Sequence, residues 1–423
     1  MKRLICHCLR AFFFRLSVVP QTLALRAAYA MVVDRIRRRA PGTKIRVLFF
    51  VSEISKWKSQ SLYDLMAQSD EFEPMIGVTL ADFDIRLPIE EQKAKMQAVR
   101  EYFSARSIPT VDMYDFKSKA ATYPVSLGAD IVFYQQPYLV FEEHSLRMTC
   151  LSALTCYIPY YVTNYGSRSF DYTAEFHRQL WRYFILNEDF ARAYRRGAWF
   201  TNYAGKLLGL GHTGLDYYYL HRDEPIDEKL IVYAPHWSFS HPKSGNIENY
   251  STFLWTGDRV LEYAKKHPEF KWVFRPHPTL LYVLQRTGAW TQEHIDRYWA
   301  EWQRIGRLST EGNYQELLLR SRAMITDCGS FLTEYFALGK PLIHLISKDL
   351  LIQPSSTSKR FFDTFYQVRS EEELEPMLDK VLVRGVDDKG EDRSRALERS
   401  GLLDCYAAKN IFDYLNKELR RKG

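Results

Sequence analysis

The chain has 423 residues, of which 46% are hydrophobic and 26% are charged. This length suggests two domains, and the composition is that of a globular protein. Its six cysteines include no Cys-x-x-Cys pair, so neither a zinc site nor a disulfide framework is expected. The formal net charge is +7, but residues 1–44 carry +9 and the remainder −2. The body therefore lacks the basic signature of a nucleic-acid-binding protein, and no nucleic-acid partner is expected.

Residues 1–42 form a basic segment that also contains apolar and aromatic residues. Its longest uncharged run, residues 16–25, is shorter than the roughly 20 residues that span a bilayer. Arg10 and Arg15 interrupt any signal-peptide core. The pattern predicts an amphipathic arm on an anionic membrane surface, at the cytoplasmic face of the cell membrane, and a body that folds without it. The alternative is a helix that packs on the protein's own body.

Beyond residue 42, β-rich apolar runs alternate with segments of helical spacing, and the alternation restarts after residue 228. Such a pattern predicts mostly parallel sheets joined by helical crossovers. We therefore expect an α/β protein with two domains, each built around such a sheet. The strand-like runs are 44–53, 72–80, 129–138, 229–237, 270–278, 321–330 and 340–347; the helix-like runs are 59–69, 89–107, 259–267, 313–321 and 330–339.

A charged, proline-bearing stretch at residues 221–229 is the predicted domain boundary. It separates an amino-terminal domain, 43–222, from a second domain, 228–400. The helix-like segment 401–423 is expected to pack back on the first domain. No P-loop motif is present, and the sequence suggests neither a cofactor nor a metal.

The stretch "TDCGSFLTEYF" (326–336) predicts a buried strand, a tight turn and a helix. Ser330 is expected at the N-cap, and Gly329 lets the backbone approach a ligand. Free amides at a helix N-terminus favour a phosphate or diphosphate. Asp327 ends the strand, and Glu334 is a candidate hydrogen-bond acceptor for a ribose.

Other motifs fall at predicted carboxyl ends of strands, where open α/β sheets bind ligands. In "RPHP" (275–278), Arg275 suits a diphosphate, and His277 is the candidate catalytic residue, as a general acid or an electrostatic group. His236, in "YAPHW", is expected to line the site. Gly211, in "LGLGHTGLDYY" (208–218), is a further candidate for nucleotide binding.

Together, "YAPHW", "RPHP", "TDCGSFLTEYFALGKPLIHL" and "GHTGLD" resemble motifs of the CDP-glycerol glycerophosphotransferase family, which includes teichoic-acid polymerases and primases. The resemblance covers roughly residues 205–345. It implies a GT-B-like fold with two Rossmann-like domains that face a cleft, an acceptor domain (43–222) and a nucleotide-donor domain (228–400). It also implies a membrane-associated enzyme that transfers glycerol phosphate from CDP-glycerol, or a related CDP-polyol, to a lipid-linked or glycan acceptor and releases CMP. It also implies that His277 acts at the phosphates, and that Ser330 binds phosphate.

The resemblance fails at one position in the first domain. The family has a Trp-His-Gly stretch whose histidine is the proposed base, whereas residues 156–170 contain no histidine. Asn164-Tyr165-Gly166 stands in its place, and His144 or Asp171 are alternative bases. Three other readings stay open: a GT-B glycosyltransferase that uses a UDP- or CMP-sugar, a UDP-sugar 2-epimerase, and a membrane-bound nucleotide-binding scaffold without activity.

Overall fold

The computed structural model describes residues 21–81, 84–138, 140–161, 175–197, 206–244, 249–310, 312–350, 354 and 358–420. The chain forms two compact units. Unit 1 comprises Met1–Tyr160, Arg168–Asp216 and Cys405–Gly423, and unit 2 comprises Tyr161–Ser167 and Tyr217–Asp404. The boundary between the units falls after residue 216 and not within the predicted linker 221–229. Residues 227–229 of that linker already belong to a strand.

Among the described residues, unit 1 contains a parallel sheet of seven strands in the order β3-β2-β1-β6-β7-β8-β9, and a short hairpin, β4-β5. The chain leaves β1 toward one edge and returns to its other side at β6, so the strand order reverses between β1 and β6. The strands are β1 (Ile45–Val51), β2 (Phe72–Val78), β3 (Thr110–Asp112), β4 (Tyr114–Asp115), β5 (Ala120–Ala121), β6 (Ile131–Tyr134), β7 (Leu154–Tyr157), β8 (Arg182–Ile185) and β9 (Leu207–Gly209).

The central strands of this sheet are buried on both faces, as their continuous apolar sequences predict. Phe49 of β1 and Phe133 of β6 stack with ring centroids 4.7 Å apart. The first helices of unit 1 are α1 (21–37), α2 (Gln60–Ala67), α3 (Ile89–Ser104), α4 (Leu146–Thr149), α5 (Glu175–Gln179) and α6 (Glu188–Gly197).

Helix α1 belongs to the body of unit 1. Its side chains Tyr29, Val32 and Ile36 are buried in the core of that unit. Immediately beyond its end, Arg39 makes two hydrogen bonds of 2.5 Å to the carboxylate of Asp130, which is fully buried. The interpretation of 1–42 as a single detachable arm is therefore wrong for residues 21–39; the amphipathic pattern of α1 reflects one face that packs on its own protein.

Unit 2 contains a parallel sheet, with the described strands in the order β12-β11-β10-β13-β14-β15. The order reverses between β10 and β13. These strands are β10 (Asp227–Ala234), β11 (Lys271–Phe274), β12 (Arg307–Leu308), β13 (Ser321–Thr326), β14 (Leu342–Leu345) and β15 (Tyr366–Val368).

The helices of unit 2 cover this sheet, and α7 spans the change between units. They are α7 (Asp216–Leu220), α8 (Phe253–Lys266), α9 (Leu280–Thr287), α10 (Gln292–Ile305), α11 (Gln315–Arg320), α12 (Gly329–Phe336), α13 (Lys359–Phe362), α14 (Glu371–Leu378) and α15 (Gly390–Ser400).

The carboxyl-terminal helix, α16 (Ala407–Leu419), lies on unit 1. Asp216 accepts hydrogen bonds from the amides of Ala407 and Ala408, at 2.7 and 3.0 Å, and so caps the first turn of α16. Phe412 packs edge-on against Phe72 of β2. With two parallel sheets, each flanked by helices, the predicted fold class is confirmed: the chain is an α/β protein with two Rossmann-like sheets.

Candidate functional site

In unit 2, the carboxyl ends of three adjacent strands bring the predicted residues to one edge of the sheet. β10 runs into Pro235-His236, β11 into Arg275-Pro276-His277, and β13 into Asp327. Because β10 lies between β11 and β13, the three loops are neighbours. They surround the point where the strand order reverses, which is where open α/β sheets bind ligands.

His236 and His277 lie together at this edge, with ring centroids 5.1 Å apart. In each ring, Nδ1 accepts a hydrogen bond from the backbone amide two residues further on, at 3.2 Å from Ser238 and 3.1 Å from Thr279. The neutral form of each ring therefore carries its proton on Nε2. Burial and the neighbouring His277 lower the pKa of His236 well below its usual value, so that this ring stays neutral.

Asp327 is only 1% exposed and makes its hydrogen bonds inside the protein. Its carboxylate accepts from the backbone amides of His236 and Thr252, both at 2.6 Å, and from the Thr252 hydroxyl at 2.9 Å. Burial raises its pKa to about 6, although these hydrogen bonds oppose the shift. These bonds let Asp327 position the backbone of His236, and a direct contact between Asp327 and a nucleotide stays a prediction.

Arg275 is also buried, and it is held from two sides. Its guanidinium donates to the Ser309 hydroxyl at 2.9 Å and lies 4.7 Å from the centroid of the Tyr314 ring. Its backbone amide donates to the carbonyl of Tyr233, in β10. The guanidinium is thereby fixed two residues before His277 and at the same sheet edge as His236.

Glu334 accepts the hydroxyls of Tyr218 and Tyr314 at 2.8 and 2.9 Å and is 7% exposed. These bonds join α7, the segment before α11, and α12. The contact to a ribose stays a prediction, since a carboxylate oxygen accepts more than one hydrogen bond. The geometry itself supports a structural role: Glu334 holds the hydroxyl of Tyr314, and the ring of Tyr314 contacts Arg275.

The N-terminus of α12 differs from the prediction in its cap. Cys328 occupies the N-cap, no side chain caps the helix, and Ser330 is its second residue. The Ser330 hydroxyl lies 3.2 Å from Sγ of Cys328. Ser330 was thus wrongly predicted to be a cap, but it and Gly329 do lie in the first turn of the helix, where amides favour an anion.

Gly211 lies in unit 1, and packing explains it there. Its φ is +99°, and a Cβ at this position would lie 2.6 Å from Cβ of Ala407 and 2.9 Å from Sγ of Cys405. Only glycine fits so close to the start of α16. The predicted role of Gly211 in nucleotide binding has no support from these contacts.

Of the candidates for a catalytic base in the first domain, His144 is the one that lies among the described residues. Its Nδ1 lies 3.3 Å from the Thr79 hydroxyl and its Nε2 3.2 Å from the carbonyl oxygen of Thr122. Burial lowers the pKa of His144 to about 4, which makes it a weak base. Asn164-Tyr165-Gly166 and Asp171 lie outside the described residues.

Sequence reasoning did not find Thr252, Ser309 and Tyr314, which hold the predicted residues in place. Thr252 lies 75 residues from Asp327, and Ser309 34 residues from Arg275. The one available signal was the position of Ser309 directly after β12, at the same edge of the sheet. Among the described residues, no group of three His, Cys, Asp or Glu side chains is arranged to hold a metal ion.

No protein-family model matches the chain, and neither does any curated protein. Solved structures do resemble it. UDP-GlcNAc 2-epimerase from Neisseria meningitidis, bound to UDP-GlcNAc, has a TM-score of 0.53 at 14% identity, over 89% of this chain and 100% of its own. MnaA of S. aureus, solved with UDP, has 0.54 at 12% identity, over 90% and 100%.

The wall teichoic acid polymerase TagF, in a structure soaked with CDPG, has a TM-score of 0.53 at 13% identity, over 96% of this chain and 97% of its own. At these identities the similarity establishes the fold alone. The chain therefore has the GT-B-like architecture that epimerases and a teichoic-acid polymerase share. No helix in the described part of the chain combines the length and the hydropathy that a bilayer crossing requires.

Proposed function

We propose that the chain is a transferase that uses a nucleotide-diphosphate donor, CDP-glycerol or a related CDP-polyol, in the synthesis of a cell-surface polymer. The observation that carries the proposal is the edge of the unit 2 sheet: His236, Arg275 and His277 follow β10 and β11 there, and α12 begins after the neighbouring strand β13. A fixed guanidinium, two Nε2–H donors and helix amides are groups that bind a diphosphate.

In the proposed reaction, an acceptor hydroxyl attacks the phosphorus that carries the polyol, and the hydroxyl proton ends on a phosphate oxygen of the departing CMP or in solvent. The bond between this phosphorus and the bridging oxygen breaks, and CMP leaves with that oxygen. Arg275 and the amides of α12 hold the diphosphate, while His277 donates from Nε2 to the oxygen on which negative charge develops. His236 supports the same phosphates, and Asp327 fixes the backbone of His236.

A thermal-shift series with CDP-glycerol, CDP-ribitol, CMP, UDP-N-acetylglucosamine and CMP-Kdo tests the donor. A ligand at 100 times its dissociation constant should stabilise the folded protein by about 2.7 kcal/mol. We expect cytidine nucleotides to raise the melting temperature, and release of CMP from CDP-glycerol or CDP-ribitol to follow when acceptor is supplied. Stabilisation without turnover of any donor would favour the inactive scaffold.

A UDP-sugar 2-epimerase is the second candidate, because the UDP-GlcNAc 2-epimerase structure matches the fold as well as TagF does. The same series separates the two functions. An epimerase would be stabilised by UDP and UDP-N-acetylglucosamine and would change the stereochemistry of the sugar without an acceptor. A GT-B glycosyltransferase would also bind UDP- or CMP-sugars but would require the acceptor.

The substitution Ser330→Ala is expected to weaken binding of CMP about tenfold, because it removes one hydroxyl donor from the anion site. Ser330 does not cap α12, so stability should change little. The measurement is calorimetric titration with CMP, and Ser309→Ala is the comparison variant, because its hydroxyl contacts Arg275 instead. Equal affinity of Ser330→Ala and the wild type would place the phosphate elsewhere.

The exposed face of α1 supports the proposed membrane location. Leu23 and Met31 are 58% and 68% exposed, and Arg26 of the same helix is also exposed. Exposed apolar and basic side chains on a helix suit an anionic lipid surface.

We expect the double substitution Leu23→Glu, Met31→Glu to reduce binding to phosphatidylglycerol-containing liposomes at least fivefold in co-sedimentation. Each inserted carboxylate repels anionic lipid and removes apolar contact. The matched control is Leu220→Glu, since Leu220 is 55% exposed but belongs to unit 2. Unchanged binding by the double variant would exclude this face of α1.

A further inference from the structure

A chain of buried contacts in unit 2 starts at Arg275. Its guanidinium lies 4.7 Å from the centroid of the Tyr314 ring, and the Tyr314 hydroxyl donates to Oε2 of Glu334 at 2.9 Å. The other carboxylate oxygen, Oε1, accepts the hydroxyl of Tyr218 at 2.8 Å. All four side chains are buried. The carboxylate thus holds two tyrosines, and one of these tyrosines contacts the arginine.

Tyr314 is held by α12 through two contacts. Phe331 packs edge-on against its ring, with centroids 5.1 Å apart, and Glu334 accepts its hydroxyl. Both partners belong to α12, the helix whose first turn is the proposed phosphate site. Arg275 follows β11, whereas α12 follows β13. Tyr314 therefore joins two parts of the candidate site that come from different strands.

The ring of Tyr314 is well suited to hold a cation. An aromatic face attracts a guanidinium, and the attraction is stronger where water is excluded, as it is around these buried side chains. A phenol that donates to a carboxylate has a more electron-rich ring, so the bond to Glu334 strengthens the contact with Arg275. Burial and Glu334 raise the pKa of Tyr314 well above its usual value, so its hydroxyl stays protonated and remains a donor.

An arginine that binds an anion needs this support, because its donors point in fixed directions. A planar guanidinium binds two phosphate oxygens at once only when its plane is correctly turned. The Ser309 hydroxyl accepts from Nη1 of Arg275 at 2.9 Å, and a single hydrogen bond does not fix that plane. The ring of Tyr314, which the guanidinium overlies, restricts the remaining rotation.

We infer that Tyr314 is a positioning residue for anion binding in unit 2: anchored by Glu334, it orients the guanidinium of Arg275. The identity of the anion, the diphosphate of a nucleotide, rests on the proposed function. The orientation of the guanidinium does not rest on it. Tyr314 acts through the arginine, so its loss should change the affinity for the anion beyond any change in stability.

Two phenylalanine substitutions form a matched pair. Tyr218→Phe and Tyr314→Phe each remove one buried hydroxyl that donates to Glu334, so the melting temperature should fall similarly in both. The affinity for CMP, measured by calorimetric titration, should fall about threefold in Tyr314→Phe and stay unchanged in Tyr218→Phe, since Tyr314 is the one of the two that contacts Arg275. An equal loss of affinity in both variants would show that affinity follows stability and would overturn the inference.

Removal of the whole ring tests whether Tyr314 acts through Arg275. Tyr314→Leu should weaken CMP binding about tenfold, and Tyr314→Phe, which keeps the ring, should recover part of that loss. In an Arg275→Lys background the planar fork is gone, so Tyr314→Leu should weaken binding less than about twofold further. Fully additive losses would show that Tyr314 acts independently of the arginine and would contradict the inference.

Nitrogen-15 NMR of the arginine side chains, on the full chain, tests the orientation without a nucleotide. The Arg275 signal is identified by its absence in Arg275→Lys. A held guanidinium turns slowly about its Nε–Cζ bond and gives separate Nη signals, whereas a released one gives an averaged signal. We expect separate signals in the wild type and Tyr218→Phe, faster rotation in Tyr314→Phe and an averaged signal in Tyr314→Leu. Slow rotation in both Tyr314 variants would overturn the inference.

The two measurements separate this inference from the proposed function. A wild type that binds no CMP, but whose Arg275 guanidinium turns slowly only while Tyr314 is present, would contradict the proposed function and leave the positioning role standing. A wild type that binds CMP, but whose Arg275 guanidinium turns equally fast with and without Tyr314, would do the reverse.

Discussion

Deletion of residues 1–40 should unfold unit 1, whereas deletion of residues 1–20 should leave it folded. The longer deletion removes Tyr29, Val32 and Ile36 from the core. Each buried side chain of this size contributes about 1.5–3 kcal/mol. It also strips Arg39 from the buried carboxylate of Asp130, and breaking a buried ion pair costs about 3–5 kcal/mol. Together these losses are comparable to the roughly 5–15 kcal/mol that stabilise a typical domain.

The two deletion variants are compared by circular dichroism, which follows the unfolding of the whole chain, and by limited proteolysis. Identification of the proteolytic fragments by mass shows whether unit 1 or unit 2 has unfolded. Arg39→Ala is the point-variant control: it should lower stability without removing any core side chain. A protein lacking residues 1–40 that melts cooperatively at the wild-type temperature would show that α1 adds nothing to the fold.

The strongest strands could be read from the sequence, and the weakest could not. β1 and β2 are seven-residue strands, and β10 ends in a continuous apolar run; their β-branched and aromatic residues leave little alternative. β7, β8 and β9 have only three or four residues each, and their apolar content alone does not separate strand from helix. They form strands because each pairs with a parallel neighbour: β7 with β6, β8 with β7, and β9 with β8. That cause lies in the tertiary structure and not in the local sequence.

Helix α1 shows the same limit in another form. Its spacing of apolar residues and arginines is compatible with a membrane surface and with a core. Packing on the protein body is favoured by the contact between Arg39 and Asp130. Asp130 lies 91 residues away, directly before β6. No local pattern in the arm reveals that partner.

For the candidate site in unit 2, the strand pattern of the sequence was enough to place His236, Arg275 and His277 at one edge of the sheet. The roles of the acids were not predictable in this way. Asp327 and Glu334 each satisfy groups that arrive from distant segments, Thr252 and Tyr218, which lie 75 and 116 residues away. In the sequence, a carboxylate close to a turn that could bind phosphate suggests a ligand contact. In the fold, Asp327 and Glu334 position other residues of the protein.

The substitution His277→Asn should cut turnover of the donor about 10²–10³-fold while leaving the fold intact. The Asn side-chain oxygen can replace Nδ1 as the acceptor for the Thr279 amide, which is 3.1 Å from Nδ1 in the native turn. What is lost is the Nε2–H donor. Removing one donor aimed at developing negative charge costs this much in other enzymes. The assay is release of CMP from the donor that the thermal-shift series selects.

The companion substitution His277→Gln separates two chemical roles. A glutamine amide can present an N–H near the position of Nε2, but it cannot deliver a proton as an imidazolium does. The amide of Thr279, which already points at Nδ1, favours the neutral ring, and so we expect a hydrogen-bonding role and at least tenfold higher activity for Gln than for Asn. Equal, severe loss in both variants would instead identify a general acid.

Arg275→Lys completes the set, because it keeps the charge and loses the planar fork that contacts Ser309 and Tyr314. Its main effect should fall on the affinity for CMP, with a smaller effect on turnover, since the diphosphate is bound in the ground state and the transition state alike. If His277→Asn turns over at the wild-type rate while Arg275→Lys loses nucleotide, unit 2 binds the donor and the histidine serves only the turn between Pro276 and Pro278.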